Sequence, residues 1–141
     1  MIGVRAYKAA FFDSLAVLKR LDKGKKKCLS KMGAFVRQRA RSSIRSRRAV
    51  SAPGSPPSSH EGSMRRLLFF AYDESTGSVV VGPVPFRRGT APGLLEYGGT
   101  STRPATPRAP AKVLHYRPRQ FMRPALDAEL PKFAELLKGL M

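Results

Sequence analysis

Residues 64–83 read MRRLLFFAYDESTGSVVVGP, two β-forming runs on either side of a turn, and the fold class follows from them. The apolar and aromatic run at 64–72 suits a buried strand. DESTG at 73–77 supplies turn chemistry: acidic and hydroxyl side chains that bond nearby backbone, then a glycine free to take positive φ. SVVV at 78–81 forms the returning strand, which Gly82-Pro83 ends. The pattern predicts an antiparallel hairpin within a small sheet.

Downstream, residues 83–92 (PVPFRRGTAP) read as a loop, and 93–99 (GLLEYGG) as either a short helical turn or a strand end. Residues 100–110 (TSTRPATPRAP) are poor in apolar side chains and rich in Pro and Thr, which predicts an extended, mobile excursion. KVLHY at 112–116 is expected to be a third main strand. A helix closes the chain, with Pro124 in its first turn, where a missing N–H is harmless. Ala125, Leu126, Leu130, Phe133, Leu136, Leu137 and Leu140 follow at helical spacing. Pro131 falls inside that pattern and is expected to kink or restart the helix, at about 3 kcal/mol if nothing relieves it.

Upstream, residues 49–62 (AVSAPGSPPSSHEG) are a Pro/Ser/Gly linker that cannot continue a helix. Before it, Leu15, Leu18, Leu21, Cys28, Met32, Val36, Ala40 and Ile44 recur at helical spacing, with Asp13 or Ser14 available as the cap. Unbroken from residue 14 to 47, this helix would be about 50 Å long and would overhang so small a core. Gly24, among four lysines, is a plausible point for a kink. Residues 3–8 (GVRAYK) alternate weakly, as a short edge strand would. The expected architecture is one α+β domain over 1–141, a small antiparallel β-sheet packed by a long N-terminal helix and a C-terminal helix. It divides into a basic strand and helix (1–48), the linker (49–62), and a hairpin, loop excursion, strand and helix (63–141).

Charge is the dominant compositional feature: 27 Lys and Arg against 9 Asp and Glu, a net +18. Residues 1–50 carry 15 of those basic residues and 2 of the acidic ones, a net +13. Such a field attracts polyanions or acidic protein surfaces. Lys25, Lys26, Lys27, Arg37, Arg41, Arg45, Arg47 and Arg48 are the candidates for contact with a partner or with DNA. Without a sequence-reading motif, any DNA contact would be non-specific and made through phosphates. A solvated basic helix face is the plain alternative.

Enzymatic chemistry finds little support. Cys28, the one cysteine, excludes an internal disulfide and suits a reducing compartment. His60 and His115 lie far apart with no clustered cysteines, which argues against zinc. No phosphate-cradling glycine loop, membrane-length apolar run or convincing signal peptide is present. Glu96 with His115 is the one pair from which a hydrolytic site could be built. The competing roles for Glu96 are capping glycine N–H groups and pairing with an arginine. No catalytic, cofactor-binding or metal-binding residue is therefore assigned.

Several segments, in order, resemble the tail-completion or neck family of lambda-like long-tailed phages. They are ARSSI (40–44), APGSPP (52–57), FFAYD (69–73), VVVGP (79–83), LEYGG (95–99) and RPRQFMRPAL (117–126). None is specific alone, but the ordered set is, and it covers about residues 28–137. The family commonly shows His-Thr-Gly before the first strand, where this chain has His60-Glu61-Gly62. The resemblance implies an α+β fold and a homo-oligomeric ring in the virion, between portal and tail, assembled after synthesis in the host cytoplasm. Six copies would match the tail and twelve the portal. Expected partners are the adjacent neck, portal-adaptor and tail-tube proteins, with non-specific contact to genomic DNA possible and no membrane or cofactor. Glu96, Tyr97, Arg103 and Arg108 are the candidate subunit-interface residues.

Overall fold

The computed structural model describes residues 14–84 and 91–139, so the expected edge strand at 3–8, the Asp13 cap and Leu140 lie outside the described residues. The chain is α+β, as the sequence patterning indicates. Its first element is helix α1, Ser14–Ser43, 30 residues and so about 45 Å long. Gly24 does not break it. It stops at Ser43, short of Arg47: Ser42 and Ser43 turn their hydroxyls back onto the carbonyls of Arg39 and Ala40, and strand pairing then takes over. Strand β1 (Arg45–Ser46) lies parallel to β2 (Ser58–Ser59).

Cys28, Met32, Val36, Ala40 and Ile44 form the buried stripe, each one turn beyond the last. A helical turn α2 (Ser63–Arg66) precedes strand β3 (Leu68–Asp73), which pairs antiparallel with β4 (Ser78–Pro83) from Leu68↔Pro83 to Asp73↔Ser78. The hairpin is as expected, but the long buried strand at 64–72 is corrected. Its first residues are helical, and only Leu68 within β3 is buried, Phe69 and Phe70 being 48% and 37% exposed. A two-stranded ribbon packed on one helix has only one covered face. Leu68, Phe70, Tyr72, Val79 and Val81 share the face toward α1, while Phe69, Ala71 and Val80 look away from it.

Residues 91–97 settle the alternatives at the glycine turn in favour of a helix, α3 (Ala91–Tyr97). The expected mobile excursion at 100–110 is also corrected. Strand β5 (Gly99–Arg103) pairs antiparallel with β6 (Lys112–Tyr116), and a Thr106↔Ala109 bridge orders the connection. The β-forming threonines Thr100 and Thr102 had partners fifteen and eleven residues on, which local composition does not reveal. β6 therefore joins β5 and not the first hairpin. In place of one sheet the described residues hold three two-stranded ones.

The final helix, α4 (Met122–Lys138), passes through Pro131 without restarting. Glu129 and Lys132 bracket the proline: Glu129 pairs with Arg39 of α1 and with Lys132, tying this stretch to its neighbour. The core is the α1 stripe closed by Met64, Leu68, Phe121 and Ala125. The linker at 49–62 is part of this body and not a spacer. Ser51, Pro57 and Ser59 are buried, and Gly54, with φ +79°, donates its N–H to the Pro118 carbonyl at 3.1 Å.

Candidate functional site

Two places concentrate structure beyond the core, a hydrogen-bonded junction and an apolar groove. The junction begins with a problem at the start of α4. A helix leaves its first four N–H groups without partners. Here residue 124 is proline and has none to satisfy, and no Ser, Thr, Asp or Asn immediately precedes the helix to cap the rest. Glu96, on α3, does so from 25 residues away. Its Oε2 accepts the N–H groups of Phe121 and Met122 at 2.9 and 3.1 Å, and its Oε1 accepts that of Arg123 at 2.9 Å. The carboxylate also faces the positive end of the helix dipole.

Neighbouring contacts knit the same place. Arg119 donates its backbone N–H to the Leu95 carbonyl and its Nε to the Ser51 carbonyl at 2.9 Å. Gly98, at φ +74°, sits so close to Pro118 that an added Cβ would lie 3.0 Å from the proline ring. Glu96 is 6% exposed, and all its bonds are internal to the chain. It is a helix cap, and it also borders the apolar groove. The expected roles on glycine N–H groups or an arginine side chain give way to backbone donors of α4. A general-base role with His115, exposed on β6, would need that carboxylate free.

Tyr97, the next residue, is 82% exposed and stands at the rim of the second feature. This is an open groove of about 550 Å³ walled by α1, β4 and α4, with Leu29, Val79, Val81, Leu126 and Leu130 in its lining. It lies between α4 and β4, both of which pack on α1. Leu126 and Leu130 of α4 face this gap and stay 42% and 49% exposed.

The basic candidates divide into two sets. Lys26 pairs with Glu74 in the hairpin turn and lies 5.4 Å over the Tyr72 ring; the pairing raises the lysine pKa and lowers that of Glu74. Lys25 reaches the turn at Gly77. Arg37 donates to the Leu68 carbonyl at 2.6 Å and stacks on Phe69, and Arg47 donates to the Ser58 hydroxyl at 2.8 Å. Lys26, Arg37 and Arg47 are thus bonded within the chain. Arg41 is half-buried. Lys27, Arg45 and Arg48 are exposed and, among the described residues, in no ion pair. Arg103 and Arg108 are exposed on the β5–β6 hairpin, with Arg103 directly opposite Lys112, two like charges that an acidic partner would relieve.

Sequence reasoning missed the capping role of Glu96, Arg39–Glu129 and the groove. The helix start at Phe121, with a proline in its first turn and no adjacent capping side chain, was the readable sign that an acid must come from elsewhere. No described helix is long and apolar enough to cross a membrane. No family model, curated protein or solved structure matches the chain.

Proposed function

We propose that the chain is a structural virion protein, a ring at the head–tail junction of a long-tailed phage. It would act as a neck, tail-completion or tail-terminator ring, joining the DNA-filled head to the tail and leaving a lumen for DNA. One observation carries the reading. Three of the six segments behind the family resemblance, scattered along the sequence, meet at one junction: Gly54 of APGSPP on Pro118, and Glu96 and Leu95 of LEYGG on the backbone of RPRQFMRPAL. Those three segments thus share a physical basis, because they specify one fold determinant together. Those residues hold the scaffold, and the work of the protein lies on its outer surfaces. Six copies match the tail side, twelve the portal side.

The test is genetic. Deleting the gene from a phage that carries it should leave full heads and complete tails unjoined, and a reconstruction of the intact neck should show the ring. Joined, infectious particles from the deletion overturn the reading.

The exposed Lys27, Arg45 and Arg48 favour one alternative, a nucleic-acid-binding protein without sequence preference. It requires affinity for arbitrary duplex that falls steeply with salt. Charge reversal at these three positions should then abolish function, whereas the ring reading tolerates it unless they face a partner.

A further inference from the structure

We infer that copies of this chain associate by seating the N-terminal arm of α1 in the apolar groove of the next copy. The inference deepens the ring reading, on which it rests for the closure of the contact. Residues 14–23 of α1 are exposed throughout. Leu15, Leu18 and Leu21 are 69%, 55% and 52% exposed. At i, i+3 and i+6 they form one apolar stripe, of the kind a helix buries. The chain also offers a groove lined by Leu29, Val79, Val81, Tyr97, Leu126 and Leu130. The two are complementary in chemistry, a helical row of leucines and an aliphatic trough between two helices and a strand.

An arm cannot fill its own groove. It is the straight continuation of the helix that walls that groove, and Leu21 and Leu15 stand about 12 and 21 Å along the axis from Leu29. Charge excludes the other simple arrangement, arm against arm. Residues 14–27 hold six basic residues and one acidic, so two arms side by side repel. The opposite wall of the groove is electrically balanced: α4 has Arg123, Lys132 and Lys138 against Asp127, Glu129 and Glu135. The α4 wall therefore adds no net positive charge against a seated arm. Arm into groove is a heterologous contact, which repeats from copy to copy and ends only when the last copy returns to the first.

The contact is tested with the full-length chain by sedimentation. Wild type is expected to form oligomers. Leu18→Glu with Leu21→Glu should give monomers, as should Leu126→Lys with Leu130→Lys; all four side chains are exposed, and circular dichroism checks that the fold is kept. Mixing the two variants should restore association only as far as a 1:1 dimer, twice the monomer mass, since one sound arm then meets one sound groove and no second contact remains. Groove variants that assemble like wild type overturn the inference in favour of arm–arm pairing. Phe11→Ser with Phe12→Ser should assemble like wild type, and loss of assembly there would give the groove to residues 1–13 instead. Wild type that stays monomeric at every concentration overturns the contact, while the junction reading keeps its own genetic test.

Discussion

At the scale of single residues, Glu96 does the most to join distant parts of the chain. One buried carboxylate satisfies all the free N–H groups that open α4, because the fourth position is Pro124. An alanine there removes the acceptor and leaves the buried Phe121 N–H without a partner. Capping losses of about 0.5–2 kcal/mol and an unsatisfied buried donor of about 1–3 kcal/mol put Glu96→Ala at roughly 2–3 kcal/mol less stable. Glu96→Gln keeps one carbonyl oxygen and turns an NH2 toward the remaining donors, so it should lose about half as much. Denaturant unfolding measures both. Equal stability of Glu96→Ala and wild type would show that water replaces the cap without loss. This role was not legible in LEYGG itself, which states only that an acid stands beside glycines. The partner lies 25 residues away and is brought to it by the fold.

At the scale of elements, α1 and the first hairpin approach each other closely at Gly33. A Cβ built there would lie 2.8 Å from Val79 Cγ2 and 3.0 Å from Phe70 Cδ2, and Val79 is a short branched side chain with little freedom to move. Gly33→Ala sets two effects against each other. Alanine gains about 1 kcal/mol of helix propensity, while overpacking typically costs about 1–3 kcal/mol. The clash should win, leaving Gly33→Ala about 1 kcal/mol less stable in chemical unfolding; a stabilised variant would mean that the hairpin yields freely. The glycine could be seen in the sequence as a helix residue of poor propensity. Its reason could not, because the hairpin that needs the space is 37 or more residues downstream. Elements themselves were more readable. DESTG folded as a turn because Asp73 accepts bonds from the Ser75 N–H and the Ser75 and Thr76 hydroxyls, all within three residues. The stretches at 64–72 and 100–110 misled because burial and strand pairing are decided by what lies across from them.

At the scale of the whole molecule, charge governs. Lys132, and then Arg39, hold the Glu129 carboxyl below its ordinary pKa. The hydroxyls of Ser75 and Thr76 do the same for Asp73, and Lys26 does so for Glu74. A lowered folded-state pKa contributes stability above the ordinary carboxylate value, about 4, and that contribution is lost as pH falls through the lower value. Lys26, raised by the same pair with Glu74, keeps its contribution until the pH rises past its ordinary value. Acid also removes negative charges that offset 27 basic residues. The thermal midpoint should therefore fall between about pH 5 and pH 3, and about 0.5 M NaCl should recover part of the loss by screening. A midpoint flat across that range, or lowered further by salt, would contradict this account.

Local chemistry determined what can be read from neighbours in the chain: the α+β class, the first hairpin and its turn, a long basic helix with one apolar stripe, and a proline at the start of the last helix. Each depends on spacings within a few residues, where side-chain period and backbone preference act directly. Tertiary structure decided which parts meet. It brought Glu96 to α4 and Arg39 to Glu129, bonded Lys26, Arg37 and Arg47 within the chain, left Leu15, Leu18 and Leu21 uncovered, and opened a groove farther along the helix. The stripe on α1 is continuous in the sequence, yet its C-terminal half is core and its N-terminal half is exposed. The difference lies in the reach of a small body: α4 and the hairpin end before a 45 Å helix does.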